Sequence, residues 1–262
     1  MSQILNHKVI GKGEPLILLH GFLGSISDWD QIAQSLSKNF KVIIPDLPGF
    51  GGSKFFNLDN EINYQKVSEE LVKLIKHIGI SKINVCGYSM GGRVALSLYF
   101  DNPDLISKLI IISANPGISE PSERTQRLEK DRQLADSITR DGIKSFLIKW
   151  YNLPLFQSLK SHPKLLEELI EKRIKDNDEK WVKKILIELS PGNVPNLWPQ
   201  LSSIKIPLLY MAGSLDLNYV QILKEIEQKN LNFHTSIIEN VGHNCYSEDA
   251  TSVIKIIENY LL

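Results

Sequence analysis

Gly87-Tyr88-Ser89-Met90-Gly91-Gly92 sets a serine between glycines, after an apolar run and before a helical pattern. A G-x-S-x-G turn between strand and helix bends the backbone tightly and presents the serine hydroxyl at the C-terminal edge of a sheet. The Oγ then lies beside a helix N-terminus, where N–H groups without helical partners favour developing negative charge. A serine hydroxyl also needs a base, and the base needs an orienting carboxylate. The chain order expected with this turn is Ser, then Asp or Glu, then His. Asp216, in Gly213-Ser214-Leu215-Asp216, and His243, in Val241-Gly242-His243-Asn244, satisfy that order, each after a strand-like run. Ser89, Asp216 and His243 are the expected catalytic group.

His20-Gly21-Phe22 follows an early apolar run, so the backbone N–H groups of Phe22 and Met90 are the expected oxyanion donors. Only six of the 30 basic residues are arginine. Arg93 stands one turn after Ser89, near a positive dipole end that disfavours a cation by roughly 0.3–1 kcal/mol. A guanidinium fork that grips a carboxylate bidentately would justify that position; a salt-bridged surface arginine is the alternative. Arg124, Arg127, Arg132, Arg140 and Arg173 all fall in one later stretch. Arg127 is the second anion-binding candidate there, while Arg124, Arg132 and Arg140 read more readily as surface charges. His7, His77, His162 and His234 lack metal-ligand spacing and read as surface or structural. No metal site is expected, and no glycine-rich phosphate loop points to a cofactor.

Rigid elements must hold these loops together. Leu16-Ile17-Leu18-Leu19 reads as a strand buried on both faces. Ser27 is expected to cap a helix to about Lys38, with Trp29, Ile32, Ala33 and Leu36 on one stripe. Phe40 to Ile44 reads as the next strand, ended by Pro45 and a loop through Ser53. The spacing then predicts a helix over Tyr64 to His77, a strand over Ile83 to Cys86, a helix over Met90 to Phe100 and a strand over Leu109 to Ile112. From about Asn115 to Trp198 the pattern is helical, as at Leu165, Leu166, Leu169, Ile170 and Ile174, with no convincing strand. The sheet pattern resumes over Pro207 to Met211 and Phe233 to Ile238, and a helix from about Ser247 to Tyr260 ends it. Alternating strand and helix predicts a mostly parallel central sheet flanked by helices. With the serine turn this is the α/β-hydrolase fold: a core of residues 1–114 and 200–262, and an inserted helical cap over 115–199.

At 262 residues, with 42% apolar and 23% charged residues, the chain has an ordinary globular composition, which excludes a disordered or fibrous class. Thirty basic residues balance thirty acidic ones, so no global charge draws it to nucleic acid or an anionic membrane. Met1 to Lys8 lacks the pattern of a secretory leader, and no apolar run approaches the roughly 18 residues of a membrane span. Cys86 and Cys245 read as reduced thiols. The expectation is a cytoplasmic protein acting on a small molecule.

Several segments together resemble the 2-succinyl-6-hydroxy-2,4-cyclohexadiene-1-carboxylate synthase family of menaquinone and phylloquinone biosynthesis. His20-Gly21-Phe22-Leu23-Gly24-Ser25 with Trp29, and Asp46-Leu47-Pro48-Gly49-Phe50-Gly51-Gly52-Ser53, are shared by many hydrolases. More selective are Tyr88 and Arg93 around the serine, Asn115-Pro116-Gly117-Ile118 leading through Glu123-Arg124 and Arg127 to Asp131-Arg132-Gln133, and Trp150-Tyr151-Asn152-Leu153-Pro154-Leu155-Phe156. Asn115 stands where a histidine is common, with the pocket rim as the place it would alter, and Met90 replaces a more usual leucine. The resemblance implies a lyase that eliminates pyruvate from a cyclohexene bearing a succinyl chain, a ring carboxylate and an enolpyruvyl ether. The serine group would then act as a base, with Arg93, Arg127 and Arg173 neutralising substrate carboxylates and Tyr88 and Trp150 shaping the pocket. A C–C bond or ester hydrolase is the first rival, and its substrate would not require the arginines of the insert. A small-molecule receptor on the same scaffold is the second, and Arg93 argues against its apolar pocket. A haloalkane dehalogenase needs a carboxylate where Ser89 stands.

Overall fold

The structure, a computed structural model, describes residues 4–54 and 59–262; the first three residues of the segment read for a leader lie outside them. Among the described residues, seven strands form one sheet: β1 (His7–Ile10), β2 (Glu14–Leu19), β3 (Phe40–Pro45), β4 (Ile83–Tyr88), β5 (Ile106–Ile112), β6 (Leu208–Gly213) and β7 (Phe233–Ile238). Their order is β1-β3-β2-β4-β5-β6-β7; β1 pairs antiparallel with β3 and every other pairing is parallel. The parallel strands read as unbroken apolar runs because helices cover both faces. One face buries α1 (Asp30–Leu36), and the other buries α2 (Tyr64–His77) and α3 (Met90–Asp101). Between β5 and β6 run α4 (Pro121–Tyr151), α5 (Pro163–Asp176) and α6 (Glu179–Glu188). After β6 comes α7 (Leu217–Glu227) on the α2–α3 face, and after β7 come α8 (Cys245–Glu248) and α9 (Ala250–Leu261), with α9 beside α1.

The α2 bounds match the sequence spacing, and Asn63 caps that helix by accepting from the Lys66 N–H at 2.9 Å. Ser27 does not cap α1. It lies inside a 3-10 turn, Ile26–Trp29, and the α-helix starts only at Asp30. The closing helix is broken at Asp249, which caps α9 through the Ser252 N–H. α4 changes direction at Gly142, whose φ of 77° lies outside the helical region. The inserted helices bury their own apolar cluster, including Ala135, Ile138, Phe146, Leu159 and Val182, and Leu23 of the β2–α1 loop is buried within it. None of the helices among the described residues is long and apolar enough to cross a membrane.

Candidate active site

Ser89 sits between β4 and α3 with φ 51° and ψ −110°, a backbone conformation that L residues rarely adopt. Close approach explains the flanking glycines: a Cβ on Gly91 would run into the Leu19 carbonyl, and one on Gly87 into the Gly91 carbonyl. The Ser89 N–H donates to Ile112 O at 2.8 Å, tying the turn to the neighbouring strand. The loops after β6 and β7 bring Asp216 and His243 to the same sheet edge. His243 Nδ1 lies 2.7 Å from Asp216 Oδ2, and its Nε2 lies 3.1 Å from Ser89 Oγ. A carboxylate only accepts, so Nδ1 carries the proton and Nε2 is free to take the serine's. Asp216 and His243 are buried, with the rings of Tyr88 and Tyr219 centred 5.4 and 4.8 Å from the imidazole. The arrangement can move a proton between Ser89 and His243 while keeping water off the carboxylate.

Phe22 and Met90 both line one cleft with this serine. Met90 is the first residue of α3, and neither its N–H nor that of Phe22 finds a backbone oxygen among the described residues. His20 holds the Phe22 loop in place. Its Nδ1 donates to Gly21 O at 2.8 Å and its Nε2 accepts from the Leu47 N–H at 3.0 Å, so the ring is neutral. Burial pushes its pKa below the ordinary 6.5.

The cleft is narrow, with a cavity of about 70 Å³. Arg93, Arg127, Arg173, Tyr88 and Trp150 all line it. Their surroundings differ. Arg93 is 5% exposed and donates from Nε to the Tyr64 hydroxyl at 2.9 Å, with no carboxylate in ion-pair range among the described residues. Arg127 is a third exposed and donates from Nε to Asp131 at 2.9 Å; Asp131 also accepts from Ser190 at 2.6 Å. Arg173 is buried, and both arms of its fork reach Asp28, at 2.7 and 2.8 Å. That contact and a second from Lys172 outweigh the burial of Asp28 and hold its carboxyl well below the usual range. Arg140 pairs with Asp141 on the outside, Arg132 is exposed, and Arg124 donates to Gly192 O. Asn115 lies away from this cleft: its side chain accepts from the Gly117 N–H and lines a separate groove.

Sequence reasoning missed Tyr219 and Asp28. Tyr219 lines the cleft between the imidazole and the arginines, and it follows Asp216 by three residues, one helical turn that puts both on the same side. That spacing was a usable signal. Asp28 had none, because its partners lie 144 and 145 residues away.

The sequence pattern of the alpha/beta hydrolase fold family matches residues 14–249. The chain is 31% identical over 235 residues to the 2-succinyl-6-hydroxy-2,4-cyclohexadiene-1-carboxylate synthase of Yersinia pseudotuberculosis (serotype O:1b, strain IP 31758), covering 89% of this chain and 82% of that protein. It superposes on the structure of MenH from S. aureus with a TM-score of 0.92 at 31% identity, covering 97% of each chain. A thermophilic esterase from Thermogutta terrifontis, at a TM-score of 0.84 and 23% identity, covers 98% of this chain and 92% of its own, and shares the fold. With an alpha/beta hydrolase pattern over most of its length and this identity to a synthase across nearly the whole chain, the protein belongs to the 2-succinyl-6-hydroxy-2,4-cyclohexadiene-1-carboxylate synthase family of the α/β-hydrolase fold.

Proposed function

We infer that the chain is a carbon–oxygen lyase that eliminates pyruvate from 2-succinyl-5-enolpyruvyl-6-hydroxy-3-cyclohexene-1-carboxylate to give 2-succinyl-6-hydroxy-2,4-cyclohexadiene-1-carboxylate. The observation that carries this reading is Arg93: a buried guanidinium with no carboxylate in ion-pair range among the described residues, in the same cleft as the Ser89–His243 hydrogen bond. Burying an unpaired charge is expensive, and a substrate carboxylate offsets it. A neutral ester would leave the charge unpaired.

The triad then works as a base. His243 Nε2 takes the proton from the ring carbon next to the succinyl carbonyl, relayed through Ser89 Oγ. The electron pair moves onto the carbonyl oxygen, where the N–H groups of Phe22 and Met90 hold the enolate. Its return forms the double bond between ring carbons 2 and 3, the existing double bond shifts from carbons 3 and 4 to carbons 4 and 5, and the C–O bond to the enolpyruvyl group breaks; that group leaves and gains a proton to become pyruvate. No bond to Ser89 forms. Arg93 and Arg127 orient the carboxylates, and Tyr88 and Trp150 wall the ring. We read the helices between β5 and β6 as a cap over this chemistry. Two buried free thiols fit a reducing compartment, and the cytoplasm is the location this reading favours. The test is to incubate the purified chain with the cyclohexene substrate and follow pyruvate. Release by the wild type and its loss in Ser89→Ala is the expected result; no release by the wild type overturns the reading.

A further inference from the structure

The loop bearing Phe22, residues 21–28, adjoins the sheet in sequence, yet much of what holds it comes from the inserted helices. Leu23 has a φ of 66°, a left-handed conformation that a leucine disfavours and that persists only where its surroundings enforce it. Those surroundings are visible. Its side chain is fully buried in the apolar cluster of α4 to α6. Its carbonyl accepts from Asn177 Nδ2, one residue past α5, at 3.1 Å. Five residues on, Asp28 receives the two arms of Arg173 and, at 2.6 Å, the Lys172 ammonium, both from the last turns of α5. The Asp28 and Arg173 side chains are 2% and 3% exposed, so water competes little for the pair. Phe22 meets Trp150 of α4 ring edge to face at 5.2 Å.

We propose that the C-terminal end of α5 is a clamp on the oxyanion loop, with Asp28, Arg173 and Asn177 as positioning residues that aim the Phe22 N–H at the reacting oxygen. The inserted helices therefore complete the catalytic site as well as covering it. Arg173 acts through Asp28, because its fork is already held by a carboxylate that is part of the chain. A donor shifted by a few tenths of an ångström, or tilted, stabilises an oxyanion far less. The inference rests on the oxyanion role given above to Phe22.

The test compares Asn177→Ala and Asp28→Asn in two reactions: pyruvate release, and phosphonylation of Ser89 by a neutral fluorophosphonate, whose phosphoryl oxygen needs the same donors. Losing an oxyanion donor outright slows turnover about 10²–10³-fold, so misaiming one is expected to lower kcat about 10-fold in Asn177→Ala and about 10²-fold in Asp28→Asn. KM should stay within about two-fold, and phosphonylation should slow by the same factors as kcat. Arg93→Ala provides the contrast, slowing pyruvate release but sparing phosphonylation. Asn177→Ala removes a single side-chain amide and decides the matter alone if Asp28→Asn does not fold. Wild-type rates in both reactions, or a raised KM with kcat kept, overturn the clamp and leave the lyase reading intact. No pyruvate release by the wild type, with phosphonylation still slowed in the variants, overturns the lyase reading and leaves the clamp standing.

Discussion

Ser89→Ala, His243→Ala and Asp216→Asn each break one link of a single relay, so their losses should not multiply when combined. Asp216→Asn keeps the shape but offers an amide where His243 Nδ1 now meets a carboxylate at 2.7 Å. The imidazole then adopts the wrong tautomer, and pyruvate release is expected to fall about 10²–10⁴-fold in a folded protein. Near-wild-type turnover of that variant would remove the relay from the mechanism. Arg93→Ala is expected to cost about 2–4 kcal/mol of transition-state binding on the anionic substrate, with Arg93→Lys recovering only part, since an ammonium lacks the planar fork. Measured as kcat/KM, small and equal effects on this substrate and on a neutral aryl ester would demote Arg93 to a structural charge. The motif residues were legible because turn chemistry is local and chain order is read directly from the sequence. The different partners of Arg93 and Arg173 were not, because a guanidinium's free valence depends on which remote carboxylate the fold brings to it.

At the scale of elements, the serine turn reverses an ordinary rule. Alanine in place of glycine within a helix usually stabilises by about 1 kcal/mol. Gly91 lies in the first turn of α3, but its missing Cβ is space that the carbonyls of Leu19 and His20 occupy. Gly91→Ala must push β2 and α3 apart, and a net destabilisation of about 1–3 kcal/mol is expected in urea unfolding, with loss of turnover. Unchanged or improved stability would show that the two elements can separate freely. The long parallel strands and α2 were readable because two-face burial and helical spacing leave continuous or periodic apolar patterns. β1 was overlooked: it is a four-residue edge strand, with His7 and Ile10 half-buried and Lys8 and Val9 exposed, and no run of apolar residues announces it. α7 was overlooked between two clear strands. Its Leu217 and Asn218 are exposed and only Leu223 and Ile226 are buried. Ser27 misled because a good capping residue also suits a 3-10 turn, and its hydroxyl pairs with that of Ser25.

At the scale of the whole molecule, equal numbers of acidic and basic residues leave little net charge near neutrality, so global repulsion does not govern stability there. Individual buried groups set the acid response, and they act in two windows. His20 is held neutral between the Gly21 carbonyl and the Leu47 N–H, and burial lowers its pKa below 6.5. In the unfolded chain the same histidine takes a proton near its ordinary value, so the unfolded state binds more protons just below pH 6.5. The stability contributed by neutral His20 is therefore complete above that pH and is lost as the pH falls through it, by at most about 1.4 kcal/mol per pH unit. Asp28 acts later and for a different reason. Its pairing with Arg173 and Lys172 lowers its pKa from 3.8, so its contribution is full above that value and is lost only as the pH falls towards the folded value. Urea unfolding between pH 7.5 and 5 isolates the first window. The wild type should lose stability below pH 6.5, whereas His20→Asn, which keeps a donor for the Gly21 carbonyl but cannot titrate, should be less stable at pH 7.5 and show a flatter profile. An identical slope in the two proteins would mean that another group takes up the proton, and would separate the neutrality of His20 from the acid sensitivity of the fold.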